Sequence, residues 1–194
     1  MRSAGTRRAR EHTWLAPAAR SCFAEIQAGE KACYPPPVAD HEHADIVRQL
    51  ADAPDWLRGA LAAPGHATSG DAAGEWGVSE IVGHVRAADA ILSTRIFHML
   101  VREAAPLPAF DDQRWGKLYA AAAIPLEDQL AHFALRRAEL VAVLRALTPE
   151  QWASGGEHEL AGPLTVIDLC RSIADHELEH RAQLDRVVAG GRQT

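Results

Sequence analysis

Leu126, Leu130, Phe133, Arg137, Leu140, Leu144 and Leu147 follow one another at alternating steps of four and three residues. That spacing holds one face of an α-helix and cannot hold one face of a strand, where side chains alternate. A helix so patterned must lay its stripe against other helices, and three further stretches carry the same period. Ile46, Leu50, Ala53, Leu57 and Leu61 mark a helix from Ala44 onward, in which Pro54 is expected to bend or restart the chain. Ile81, Val85, Ala88, Ile91, Leu92 and Met99 mark a second, over 78–102. The leucine stripe itself predicts a third over 126–147, and a fourth runs from an N-cap at Thr165, with Asp168 three residues on, to the stop Gly190-Gly191. Strand signals are nearly absent. The expected fold is all-α, an antiparallel four-helix bundle around one core.

The segments between helices differ in character. Residues 1–40 show no sustained period and end in Tyr34-Pro35-Pro36-Pro37, so they are expected to be a loosely ordered extension or a start-site artefact, with the bundle occupying 41–194. Residues 62–77 have a loop composition. The stretch 104–124, with Phe110-Asp111-Asp112-Gln113-Arg114-Trp115, is long and aromatic enough to cover a site.

Charge and cysteine content narrow the function classes. Of a formal net charge of −6, residues 1–20 contribute five arginines against one glutamate, so the remainder of the chain is strongly acidic. An acidic body repels phosphate backbones, and the short basic head, with Trp14 as its one aromatic residue, lacks the series of interleaved aromatics that stacks bases, so no nucleic-acid partner is expected. No apolar stretch reaches the roughly 18–20 residues a membrane span needs. Cys22, Cys33 and Cys170 form neither a disulfide framework nor a zinc motif, and no targeting segment is read, which fits a reducing cytoplasm.

Histidines carry the chemistry. His176 and His180 stand four apart, about 40° from each other on a helix, on the same arc as Leu169, Ile173, Leu184 and Val187. Both should point into the bundle, and His84 borders the core from the second helix. Together they make a three-histidine set on two facing helices, the ligand count of metal sites that leave one position open. The bland alternative is a set of core histidines hydrogen-bonded to backbone or carboxylate. Glu177 or Glu179 can orient a ligand ring, or can be a solvated helix residue. His176-Glu177-Leu178-Glu179-His180 also satisfies the H-E-x-x-H zinc-protease pattern, in which the glutamate is a general base, but Gln183 and Arg186 stand where the extended motif needs Gly and a third His, and the 14 residues after His180 leave little room for a downstream ligand helix. Arg137 interrupts the leucine stripe and must meet a carboxylate, a carbonyl or an anionic ligand, or snorkel to the bundle end; Arg95, on the same face as His84, raises the same choice.

The stretch from Glu75 to His84, with Trp76, Ser79, Glu80 and His84 in order, resembles the opening of the second helix in the DinB/YfiT-like family of metal-binding four-helix bundles. Arg95, the loop 106–115, Arg137, Leu144 to Trp152, Gly162 to Val166 and His176-Glu177-x-x-His180-x-x-Gln183 are similar to that family in order and spacing, over about residues 44–189. Gly77 stands where the family usually has serine. The resemblance implies a divalent metal, zinc or nickel first and iron third, held by His84, His176 and His180, often in a homodimer. It also implies a thiol-cofactor-dependent transferase or isomerase acting on a small molecule, with a low-molecular-weight thiol as cofactor; Arg137 and Glu177 are the catalytic candidates that the residues themselves suggest. A metal-dependent hydrolase and a bundle that binds a metal or small ligand without chemistry are the alternatives.

Overall fold

The computed structural model describes residues 40–62, 76–111, 114, 115, 118 and 124–190. The expected extension lies outside these residues except for Asp40, which opens the first helix, and most of the 62–77 loop and part of the 111–115 cover lie outside them too. The elements are α1 (Asp40–Leu61), α2 (Val78–Val101), β1 (Ala105–Leu107), α3 (Leu126–Arg145), α4 (Pro149–Trp152), β2 (Gly155–His158), β3 (Gly162–Thr165) and α5 (Val166–Gly190).

The four long helices form the bundle that their periodicity requires. Helices α1 and α2 each pack against both α3 and α5, so α1 faces α2 across one diagonal and α3 faces α5 across the other. Consecutive helices α1 and α2 are therefore not principal neighbours. Helix α1 runs through Pro54 without interruption, so the proline neither breaks nor restarts it. At the start of α5, Asp168 Oδ2 accepts the Thr165 N–H at 2.9 Å while Thr165 Oγ1 accepts from Asp168 N at 3.4 Å, the reciprocal cap anticipated there. Helix α2 starts without a side-chain cap because Gly77 has none to offer, and Glu80 Oε2 reaches back to accept the Gly77 N–H at 3.1 Å.

A small three-stranded sheet closes one end, in the order β1-β2-β3, with β1 and β2 parallel and β2 and β3 antiparallel. It was not expected, because strands of three and four residues built on Gly155-Gly156 and Gly162-Pro163 show no apolar alternation. Close approach is what the glycines supply: a Cβ on Gly156 would stand 2.7 Å from the Ala105 carbonyl oxygen. β1 follows the end of α2 and β3 precedes the start of α5, so the sheet joins those two ends and sets the helices antiparallel.

Among the described residues the interior holds two apolar clusters rather than one. Ile46, Leu50, Leu92, Ile96, Leu140, Leu144 and Ile173 belong to a cluster toward the sheet. Ala53, Leu57, Val78, Ile81, Val85, Phe133 and Leu184 form a second toward the other end. Between them lies a polar layer centred on Arg137.

Candidate metal centre

The structure brings His84, His176 and His180 together, with one ligand atom of each lying within 4.8 Å of the others. The register of α5 explains the pair, since residues four apart share a face. Antiparallel α2 presents His84 opposite them. His176 Nε2 lies 2.9 Å from His84 Nε2 and 3.0 Å from His180 Nε2, so all three rings aim the same nitrogen at one point.

Electrostatics prepares these rings as ligands. Burial holds the His84 imidazole down at about 4, reinforced by the neighbouring His180. Burial, then His180 and His84, push His176 well below its usual value. Burial lowers His180 too, against a hydrogen bond to Gln183 that acts the other way. All three are neutral at pH 7, the form that binds a metal.

An outer contact fixes the tautomer and orientation of His180. Gln183 Oε1 accepts from His180 Nδ1 at 2.9 Å, which leaves His180 Nε2 as a lone pair turned into the cluster. His176 Nε2 then faces two other ring nitrogens with a single proton or a single lone pair to offer, and cannot serve both well. A cation taking one lone pair from each ring satisfies all three, so the donor set fits a divalent metal. Trp76 covers the outer side: its ring lies 6.1 Å from that of His180 and nearly parallel to it, and 4.9 Å from that of His84, with the residue 40% exposed.

The carboxylates and the arginine stand elsewhere. Glu177 is buried, but its position one residue past His176 turns it about 100° away, and both its oxygens accept from Arg137. A general base needs an oxygen free for substrate, so Glu177 as placed fits neither the catalytic candidacy given to it nor the orienting of a ligand ring. Glu179 is exposed. Gln183 takes the orienting role instead.

Arg137 is 1% exposed and uses all five of its N–H donors inside the bundle. Nε and Nη2 donate to Asp89 Oδ1 at 3.2 and 2.7 Å, Nη1 donates to Leu50 O at 3.0 Å and to Glu177 Oε2 at 3.1 Å, and Nη2 also donates to Glu177 Oε1. Of the partners its place in the leucine stripe demanded, it meets two carboxylates and a carbonyl; it neither snorkels nor keeps a donor for an anionic ligand, which corrects its candidacy as a catalytic residue. Burial would discharge the guanidinium, but the attraction of Glu177 and Asp89 outweighs it and holds the charge. Arg95 is buried at the sheet end, donating to Pro108 O and lying against the Phe110 ring.

Trp76 and Gln183 are the site residues to which the sequence reading gave no role. Gln183 carried a signal, a polar residue one turn beyond His180. Trp76 precedes its helix and so has no periodicity to betray it.

Fold and site together define a four-helix bundle with a partly buried three-histidine cluster between two helices. The DinB superfamily matches over residues 30–184, and the chain belongs to it. A protein of Oceanobacillus iheyensis, provisionally named a metal-dependent hydrolase, is 24% identical over 111 residues, or 57% of this chain; the match spans 64% of that protein's length. The fold is also that of YfiT from Bacillus subtilis, described as a probable metal-dependent hydrolase with an unusual four-helix bundle topology; the TM-score is 0.70 at 19% identity, covering 77% of this chain and 87% of the other. No helix among the described residues is long and apolar enough to cross a membrane.

Proposed function

We propose that this chain is a divalent-metal-dependent enzyme that activates a small nucleophile, with transfer of a low-molecular-weight thiol to a small electrophilic molecule as its leading chemistry. The observation that carries the metal is the convergence of three neutral Nε2 atoms within hydrogen-bonding distance of a shared centre. His84, His176 and His180 would hold the ion. Zinc, nickel and ferrous iron all accept imidazole, and geometry selects among them. An ion with three neutral ligands keeps its double charge and an open position, and supplies the electrostatic stabilisation that brings deprotonation of a thiol or a water toward neutral pH. The protein's own part is to keep the imidazoles neutral by burial, to hold the His180 ring through Gln183, and to present the Trp76 face at the outer side.

A second reading, hydrolysis with water as nucleophile, is favoured by the names of the Oceanobacillus and Bacillus proteins. Assembly as a homodimer belongs to the same proposal and is tested by sedimentation. One experiment separates the chemistries: metal-loaded protein is assayed with a panel of small thiols and a generic electrophile, beside His176→Ala. Turnover that needs both metal and thiol supports transfer. Turnover with water alone assigns a hydrolase, and none across the panel contradicts an enzyme.

A further inference from the structure

Arg137 does more than neutralise buried carboxylates. From α3 its five donors reach the three other long helices: Leu50 O on α1, Asp89 on α2 and Glu177 on α5. Two of those contacts fall on the helices that carry the histidines. Glu177 directly follows His176, and Asp89 lies five residues beyond His84, about 7.5 Å along α2. Because the Nε2 atoms of His84 and His176 come from these two helices and stand 2.9 Å apart, a small slide or separation of α2 against α5 would open the donor set.

The layer is not explained by stability. Desolvating an arginine and two carboxylates is costly, and apolar residues of similar volume commonly replace such a network with no loss. Here the layer divides an apolar interior into two clusters, and Asp89 Oδ2 is buried with no hydrogen-bond partner. Part of the polar cost is therefore left uncompensated. What the layer supplies that leucines do not is direction, since a forked guanidinium held by two carboxylates and a carbonyl admits one relative placement of the helices.

We infer that Arg137, braced by Asp89 and Glu177, is a positioning residue for the metal centre, fixing α2 against α5 so that His84 meets His176 and His180. The inference rests on the metal reading above. Its test uses cobalt(II) as the probe, because the visible bands of that ion report ligand geometry as well as binding. Cobalt affinity and spectrum are compared between the wild type and a variant carrying Arg137→Met, Asp89→Leu and Glu177→Leu together, which replaces the layer by apolar side chains. The expected result is a folded, helical variant that binds cobalt about tenfold more weakly or worse, with altered bands. A folded variant with wild-type affinity and bands overturns the positioning role while leaving the metal reading intact. A wild type that binds no cobalt defeats the metal reading and this inference with it. Should the triple variant not fold, Glu177→Gln and Asp89→Asn decide, since each keeps its shape: shifted bands at unchanged helicity support the role, and unchanged bands in both overturn it.

Discussion

Arg137 Nη1 donates to the Leu50 carbonyl at 3.0 Å, and that oxygen is free to accept because Pro54, four residues on within α1, has no N–H to give it. A proline inside a helix and an arginine inside a leucine stripe look like two separate faults in the sequence. In the fold one answers the other.

Replacing Pro54 with Ala should therefore gain little. Proline in a helix interior ordinarily costs about 3 kcal/mol against alanine, but here the orphaned carbonyl already has a partner. Urea unfolding is expected to show a gain below about 1 kcal/mol. A gain of the full amount would mean that the contact from Arg137 contributes nothing.

Much of this was legible beforehand, for physical reasons. Helices of 20 to 25 residues bury enough apolar positions for a period to show, and two histidines on one turn declare a shared face. The partner of Arg137 was not legible, because Asp89, Arg137 and Glu177 meet only through the packing of separate helices. The same holds for the sheet, whose strands are too short to carry a pattern and whose pairing depends on glycine allowing two backbones to approach.

That approach predicts a localised effect at the sheet. A methyl on Gly156 would meet the Ala105 carbonyl at 2.7 Å and the Leu107 side chain at 3.0 Å. Gly156→Ala should destabilise by about 1–3 kcal/mol, read by thermal or urea unfolding. At Gly162 nothing stands in the way, but its φ of +75° disfavours a side chain, so Gly162→Ala should cost about 1 kcal/mol. Equal stability of Gly156→Ala and wild type would contradict the close β1–β2 pairing.

Acid should weaken the metal-free fold through the histidines. Burial holds His84 at about 4 and His176 well below 6.5. Groups depressed in this way contribute stability that is present above their unfolded pKa of about 6.5 and is lost as pH falls through the folded value. Glu177 acts in the opposite sense: burial, partly offset by Arg137, pushes it up to about 7, so its contribution is full below its unfolded pKa and is lost as pH rises through about 7. In metal-free Glu177→Gln that opposing contribution is gone, and above the carboxylate range the histidine limb dominates. Its unfolding free energy should fall steadily from about pH 6.5 to 4, and a flat profile would show that the histidines are not held neutral.

Gln183 should matter through His180 alone. Losing the 2.9 Å contact to Nδ1 frees the ring to turn and to change tautomer, so Gln183→Leu should weaken metal binding by about 10-fold or more with little change in folding. Gln183→Glu, which keeps the acceptor, should restore most of it. Equal affinities for wild type and Gln183→Leu, measured by chelator competition, would remove Gln183 from the site.

The central claim is that His84, His176 and His180 together hold a divalent ion, and metal content after purification tests it most directly. Elemental analysis should find about one divalent ion per wild-type chain, and essentially none in His84→Ala, His176→Ala or His180→Ala proteins that keep their helicity. A folded variant lacking one of these imidazoles yet retaining the wild-type metal content would contradict the account.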